Sequence, residues 1–186
     1  MQITRLVLTE DEQRLLASLL GSEWVHLSGD TLVQSEFAWE SIRVQTTDSA
    51  VEIALEREVV EVAADVDEYP ALHIRPAGPV SATAERSGRI YFQNRGERVC
   101  AIWVIRDTVA GIRTEYPDFT YVADVAVAFE LDTHWVAIER DSFFSDALLV
   151  TRSNARDDLS LPDTWDEWES DLLDQYTVTR EWIPIA

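Results

Sequence analysis

The stretch FTYVADVAVAFELDTHWVAIERDSFFSDALLVTR, residues Phe119–Arg152, decides the fold. It predicts two long strands that are joined at Asp132-Thr133, followed by a short break and a third strand. Along Tyr121–Phe129 the odd positions are apolar, whereas the even positions are small or acidic. This alternation predicts one face against a core and the other against water or a partner. The return strand, Trp135–Ile138, is apolar on both faces, so we expect it to lie centrally in a sheet.

The sequence before this stretch predicts a strand, a helix and several antiparallel strands. Thr9 and Glu12 form a capping-box pattern ahead of an apolar helical stripe that ends at Gly21. Turn residues at 28–30, 47–49 and 94–97 lie between alternating segments, so each of these turns predicts a hairpin. The acidic residues at 65–70 indicate a loop, because charged side chains and a proline interrupt the apolar pattern there.

The end of the chain predicts a second helix and a closing strand. Pro162 opens the helix, and Trp165, Trp168 and Leu172 share one of its faces. The predicted fold class is α+β: predominantly antiparallel β, with about ten strands in a curved sheet or two packed sheets, an N-terminal helix and a C-terminal acidic helix. Residues 1–186 are expected to form a single domain, and a division into two lobes would fall near the PAGP cluster at 76–79.

The composition excludes several classes of function. The chain has 15 arginines and no lysine, a bias typical of GC-rich bacterial genomes, so it lacks any Schiff-base or P-loop lysine. The formal net charge of −20 argues against direct binding of nucleic acid, which needs clustered positive charge. There is no apolar run long enough for a membrane span and no signal-peptide pattern at the start, so we expect a cytoplasmic protein.

The residues that commonly carry chemistry are few and scattered. The single cysteine, Cys100, lies in an apolar segment and is expected to be a buried, inert thiol. His134 has Asp132 beside it and Asp124 across the predicted hairpin, which could orient a general base, but its turn position predicts an exposed histidine. No metal-ligand spacing, nucleophile elbow or dinucleotide fingerprint is present, so no cofactor or metal is expected and a non-enzyme is favoured.

The most acidic segment is 157–174, which contains no basic residue. If its tryptophan face is packed, the helix presents a uniformly acidic surface that could mate with a basic protein. The alternative is a solvated helix face in an acidic protein. The predicted partner-binding residues are Asp163, Asp166, Glu167, Glu169, Asp171 and Asp174.

A second candidate site is an anion-binding cluster of arginines around Tyr91 and Phe92. Arginine forks match phosphate and carboxylate oxygens, so these side chains could hold an anion or a nucleotide phosphate. The alternative is that they pair with the acidic surplus elsewhere on the protein. The residues of this cluster are Arg86, Arg89, Arg95 and Arg98.

The C-terminal third resembles small acidic β-rich bacterial proteins, some of which are immunity proteins against secreted toxins. The likeness is carried by Asp124–Phe129, Trp135–Asp141, Trp165–Trp168 and Thr179–Ile183, in the order strand, turn, strand, acidic tryptophan helix and closing strand. It covers no catalytic signature. The resemblance implies a binding function and assigns no individual site residue.

Three functional hypotheses follow from the sequence. The first is a non-catalytic acidic binding protein of the immunity or inhibitor type, which neutralises a basic protein through its acidic surface. The second is a small-ligand-binding or enzymatic β-domain, with the arginine cluster and His134 lining an anion pocket. The third is a structural domain whose acidity reflects only the bacterial proteome to which it belongs.

Overall fold

The computed structural model describes residues 2–32, 36–62, 65–78, 88–90, 96–112, 118–142, 145–161 and 175–186. Within these ranges the chain forms strands, one α-helix and a 3₁₀ turn at Arg156–Asp158. The elements are β1 (Gln2–Leu6), α1 (Glu10–Ala17), β2 (Trp24–Gly29), β3 (Phe37–Trp39), β4 (Ser41–Thr46), β5 (Ala50–Val62), β6 (Asp65–Pro76), β7 (Gly88–Ile90), β8 (Val99–Ile112), β9 (Phe119–Leu131), β10 (Trp135–Arg140), β11 (Ala147–Ser153) and β12 (Gln175–Ile185).

The strands form two sheets, and almost every pairing is antiparallel. The seven-stranded sheet has the order β12-β8-β9-β10-β11-β3, and β1 pairs with β9 in parallel. The five-stranded sheet has the order β6-β5-β4-β2-β7. The predicted antiparallel β architecture with an N-terminal helix is therefore confirmed. The predicted C-terminal helix, which Pro162 opens, falls on residues outside the described ranges.

One core cluster contains side chains from both sheets and from the helix. Leu27 and Ile53 of the five-stranded sheet, Phe129 and Ile138 of the seven-stranded sheet, and Leu16 of α1 are all buried in it. The predicted capping box is present, since Thr9 accepts from the Glu12 amide and Glu12 accepts from the Thr9 amide. Neither of the helical segments in the described ranges has the length and apolar content that a membrane crossing requires.

The pattern of β9 corrects the prediction of one buried and one open face. The register between β8 and β9 shifts at Val125, which is an extra residue on β9. Such a bulge reverses the faces of the residues beyond it. Tyr121 therefore belongs to a second core cluster, whereas Phe129 belongs to the first, although both are odd positions. Residues 121–129 are buried throughout, and β10 lies centrally between β9 and β11 as predicted.

Residues 65–70, predicted as a loop, belong to β6 instead. The pairing between β5 and β6 continues without a shift from Val51↔Pro76 to Val62↔Asp65, so the two strands form one long ribbon. Acidic side chains do not prevent this pairing, because most of them stay hydrated on the exposed faces of the ribbon. The predicted hairpin around residues 47–49 is confirmed as the β4–β5 hairpin.

Two other predicted hairpins are wrong. Strand β2 pairs with β4 and β7, and Gly29 belongs to the strand rather than to a turn. A Cβ at Gly29 would lie 2.9 Å from Ala38 Cβ, so this glycine permits close packing. The segments around 94–97 go to different sheets, since β7 pairs with β2 and β8 pairs with β9 and β12. Pairing across the sheets, rather than local turn chemistry, decides the partner of each of these strands.

Candidate functional site

The predicted acidic partner surface lies almost entirely outside the described residues. This holds for Asp163, Asp166, Glu167, Glu169, Asp171 and Asp174, so their role stays a prediction. The first acidic residues of that segment, Asp157 and Asp158, are exposed in the 3₁₀ turn. The Asp157 carboxylate lies 3.5 Å from the Arg156 guanidinium, which itself stacks over Trp182.

The predicted arginine cluster is only partly described. Arg86 and Arg95 lie outside the described residues. Arg89 is in β7, where its backbone pairs with Ser28 near the end of β2, whereas Arg98 bridges to Glu23 just before the start of β2. The structure thus places Arg89 and Arg98 beside opposite ends of one strand, and the anion site stays a prediction.

His134 is largely enclosed, so the prediction of an exposed histidine is wrong. Its Nδ1 lies 2.8 Å from Glu97 Oε2, and the two side chains are 15% and 7% exposed. Neither of the expected carboxylates is its ion-pair partner. Asp132 accepts a hydrogen bond from the Arg98 amide, and Asp124 pairs with Arg106. The contact between His134 and Glu97 therefore connects the β9–β10 turn to the segment before β8.

Cys100 is exposed, so the prediction of a buried thiol is wrong. Its Sγ lies 3.5 Å from Asp132 Oδ1. Partial loss of hydration, together with the hydrogen bond to the Asp132 carboxylate, raises the pKa of the Cys100 thiol. A raised pKa keeps the sulfur protonated at neutral pH and makes it a poor nucleophile.

A cleft of about 430 Å³ lies on the outer face of the five-stranded sheet. We call it the acidic cleft. Its floor is a row across three strands, because Arg43 of β4 pairs with Ser28 of β2 on one side and with Glu52 of β5 on the other. The residues that line the cleft are Ser28, Gly29, Asp30, Trp39, Glu40, Ser41, Arg43 and Glu52.

Trp39 and Glu40 form one wall of the acidic cleft, and a ring contact and backbone hydrogen bonds hold them in place. Trp39 is 51% exposed, and its ring packs edge to face on Phe37 with centroids 5.2 Å apart. Asp30 Oδ1 accepts a hydrogen bond of 3.1 Å from the Trp39 amide, which holds the Trp39 backbone next to Asp30. Glu40 has φ 60, an uncommon value for a residue with a side chain, and its amide and carbonyl are both hydrogen-bonded. Strained conformations of this kind cluster at functional sites.

The charged groups of the acidic cleft make no close ion pairs among the described residues, although Arg75 of β6 lies opposite Glu52 in register. It contains three carboxylates and one guanidinium, which leaves a formal charge of −2. No ion pair within 4.0 Å involves any of these four groups among the described residues. Glu52 Oε1 accepts from the Ser41 hydroxyl at 2.7 Å, and the Arg43 guanidinium donates to Gln45 at 2.9 Å. Arg43 Nε is buried without a hydrogen-bond partner in the described part of the chain.

A second feature is a buried charge network in the seven-stranded sheet. Asp107 accepts two hydrogen bonds of 2.7 Å from Arg180, and the Asp107 side chain is fully buried. Asp124 holds Arg106 in the same bidentate way and also accepts from the Leu8 amide at 2.7 Å. Paired and hydrogen-bonded charges of this kind are tolerated in a protein interior. They connect β8, β9, β12 and the N-terminal segment.

Glu139 lies next to this network and is 3% exposed. Burial raises the pKa of its carboxyl group to about 8, against the lowering effects of the Arg180 charge and the Thr151 hydroxyl. The gap that it shares with Arg140 and Arg180 is too small for a water molecule. A shifted acid often marks an active site, but this gap leaves no room for a substrate beside Glu139.

The third feature is the outer face of the β5–β6 ribbon near its tip. Val59 and Val66 are each 68% exposed, and the register places Glu68 opposite Val59 and Glu61 opposite Val66. We call these four residues the ribbon face. The backbone beneath is anchored, because the Gln2 side chain donates to the Glu61 carbonyl at 3.0 Å. Opposite-facing Val60 packs on the second core cluster.

Comparison with models of protein families, with curated proteins and with solved structures found no match to this chain. Among the described residues no group of three or more histidine, cysteine, aspartate or glutamate side chains is placed to hold a metal ion. Function must therefore be argued from the acidic cleft and the ribbon face themselves. Both were missed by sequence reasoning. The polar residues that alternate with apolar ones along β4 and the start of β5 are the signal that could have revealed the acidic cleft.

Proposed function

We propose that this protein is a non-catalytic binding protein of the immunity or inhibitor type, which neutralises a basic protein partner through its acidic surface. The observation that carries the proposal is the ribbon face. It combines two largely exposed valines with two exposed glutamates on an anchored two-stranded ribbon. Exposed apolar side chains next to polar ones are typical of surfaces that bind another protein.

The charge of the ribbon face supports a basic partner. Glu61 and Glu68 are both exposed, and among the described residues neither makes an ion pair within 4.0 Å. The whole chain carries a formal charge of −20, which steers positively charged molecules towards it and repels acidic ones. A rigid ribbon also loses little conformational entropy on binding. The acidic segment 157–174, which the sequence predicts to bind the partner, would add further negative charge to the binding surface.

The first test is affinity capture from a lysate of the native host at low and at high salt, followed by binding measurements with the purified captured protein. We expect a basic protein that binds at 50 mM NaCl and is lost at 500 mM, because screening weakens attraction between exposed charges. An empty eluate at both salt concentrations, or a captured protein that is acidic, would contradict the proposal.

The contact surface is then located by matched variants. In Glu61→Gln/Glu68→Gln the ribbon face loses two charges, and we expect affinity for the captured protein to fall by about tenfold, with slower association. In the control variant Glu23→Gln/Glu181→Gln the same two charges are removed at other exposed positions, and affinity should change by less than about twofold. The triple variant Asp166→Arg/Glu167→Arg/Asp171→Arg tests the acidic segment in the same assay.

A further inference from the structure

We infer that the acidic cleft is the site that receives an arginine side chain, with the guanidinium group stacked on Trp39 and held by the surrounding carboxylates. The inference rests on the proposed function, because it assigns the side chain to the basic partner. It also names a recognition chemistry that can be measured without that partner.

The size and position of the acidic cleft suit a side chain better than a whole domain or a large cofactor. Its volume of about 430 Å³ is towards the lower end of the range for ligand pockets, about 300–1,000 Å³. It opens on the outer face of a sheet whose inner face is the core. A partner can therefore insert one extended side chain without any opening of the fold.

Trp39 provides the stacking surface. About half of its side chain is exposed, and its edge-to-face contact with Phe37 limits its rotation. Tryptophan is the best aromatic partner of a cation, and arginine is the cation that stacks on it most often. The Trp39 amide donates to Asp30, so the Asp30 carboxylate lies beside the Trp39 backbone at the same cleft.

The carboxylates supply the charge. Glu52 uses Oε1 to accept from Ser41, and its Oε2 has no protein partner in the described ranges. The uncommon backbone conformation of Glu40 places a second exposed carboxylate at the same opening. A planar guanidinium presents several N–H donors to such separated acceptors at once, whereas an ammonium group acts as a point charge.

Arg43 on the floor is compatible with this occupant. Its guanidinium is directed to Gln45 through Nη2, and its buried Nε has no acceptor in the described residues. Because Gln45 does not line the cleft, this hydrogen bond directs the guanidinium along β4, and the three carboxylates remain available to an inserted cation.

The experiment uses the full chain, labelled with ¹⁵N, and three blocked tripeptides, acetyl-Gly-X-Gly-amide with X as arginine, lysine or citrulline. Citrulline has the shape of arginine without the charge. We expect a saturable shift of the Trp39 indole signal with the arginine peptide, binding about tenfold weaker with lysine, and no saturation with citrulline. Equal binding of the arginine and citrulline peptides overturns the inference, as does a shift with neutral oligosaccharides but not with arginine.

Variants make the result specific to the acidic cleft. Glu52→Gln keeps the shape of the side chain and should lower the affinity for the arginine peptide by about five- to tenfold. Trp39→Ala should lower this affinity at least as much. The matched control, Glu181→Gln, makes the same charge change at an exposed position on β12, outside both the acidic cleft and the ribbon face, and should alter binding by less than about twofold. If Glu52→Gln and Glu181→Gln behave alike, binding reflects net charge only, and the inference fails.

The outcome separates the two proposals. A basic partner that binds the wild type and the Trp39→Ala variant equally well would leave the proposed function standing and overturn this inference. An arginine peptide that saturates the acidic cleft, while no basic partner is captured, would support the cleft chemistry and count against the proposed function.

Discussion

At the scale of single residues, Glu139 shows how strongly burial in this fold changes side-chain chemistry. The carboxyl group is 3% exposed and its pKa is about 8, whereas the unfolded chain has an ordinary glutamate pKa near 4.5. Between these two values the folded protein binds a proton that the unfolded chain has released. Stability therefore decreases as pH rises from about 4.5 to about 8, by at most about 1.4 kcal/mol per pH unit.

We expect Glu139→Gln to remove this part of the pH dependence, because glutamine keeps the shape and cannot ionise. Relative to the variant, the wild type should lose stability by an amount on the order of a few kcal/mol between pH 5 and pH 8. Urea unfolding at pH 5, 6.5 and 8 measures the difference. Glu181→Gln, at an exposed position on β12, is the control and should follow the wild type. Parallel pH profiles for wild type and Glu139→Gln would contradict the raised pKa.

At the scale of elements, β8 and β9 are held together by side chains as well as by their backbone ladder. Gly111 of β8 pairs with Phe119 of β9, and the phenyl ring lies over the glycine. A Cβ at position 111 would lie 2.3 Å from Phe119 Cε1 and 2.6 Å from Cζ, so any larger residue displaces the ring. Such cross-strand pairs are a main source of sheet stability.

We therefore expect Gly111→Ala to destabilise the fold by about 1–3 kcal/mol, the usual effect of forcing extra volume into a packed site. Gly78→Ala is the matched control, since no atom lies within 4 Å of a Cβ there. Its free energy of unfolding should change by less than about 1 kcal/mol. Urea titration of both variants at constant pH decides the question, and equal midpoints for the two would refute the packing argument.

Elements also show which local patterns are sufficient for prediction. The capping box at Thr9 and the β4–β5 hairpin were predictable, because each depends on residues that are close in sequence. The hairpins at 28–30 and 94–97 were not, because β2 and β8 find their partners across the sheets. Gly29 resembles a turn residue in sequence, but it is needed for its contact with Ala38.

At the scale of the whole molecule, the formal charge of −20 acts on folding as well as on binding. Like charges repel each other more in the compact state than in the expanded unfolded chain. Ion pairs reduce this repulsion for several acids, such as Asp146 with Arg57 and Glu56 with Arg75. The acids of the acidic cleft and the ribbon face make no ion pair within 4.0 Å among the described residues.

Salt should therefore stabilise the protein. Raising NaCl from 20 mM to 300 mM shortens the screening length from about 20 Å to below 10 Å, and we expect a gain of about 1 kcal/mol. For a chain of this length that corresponds to an increase in Tm of about 2–4 °C. Thermal unfolding at the two salt concentrations measures it. A Tm that falls or stays constant would show that ion pairs, rather than repulsion, dominate the electrostatics.

The sequence by itself determined that this chain is an antiparallel β protein with a capped N-terminal helix and an excess of negative charge. Strand alternation, capping and net charge depend on residues that are neighbours along the chain or on composition alone. Only the tertiary structure decided the bulge at Val125, the burial of Glu139 and the acidic cleft. Each arises where strands that are distant in sequence meet, as when Ser28, Arg43 and Glu52 form one row.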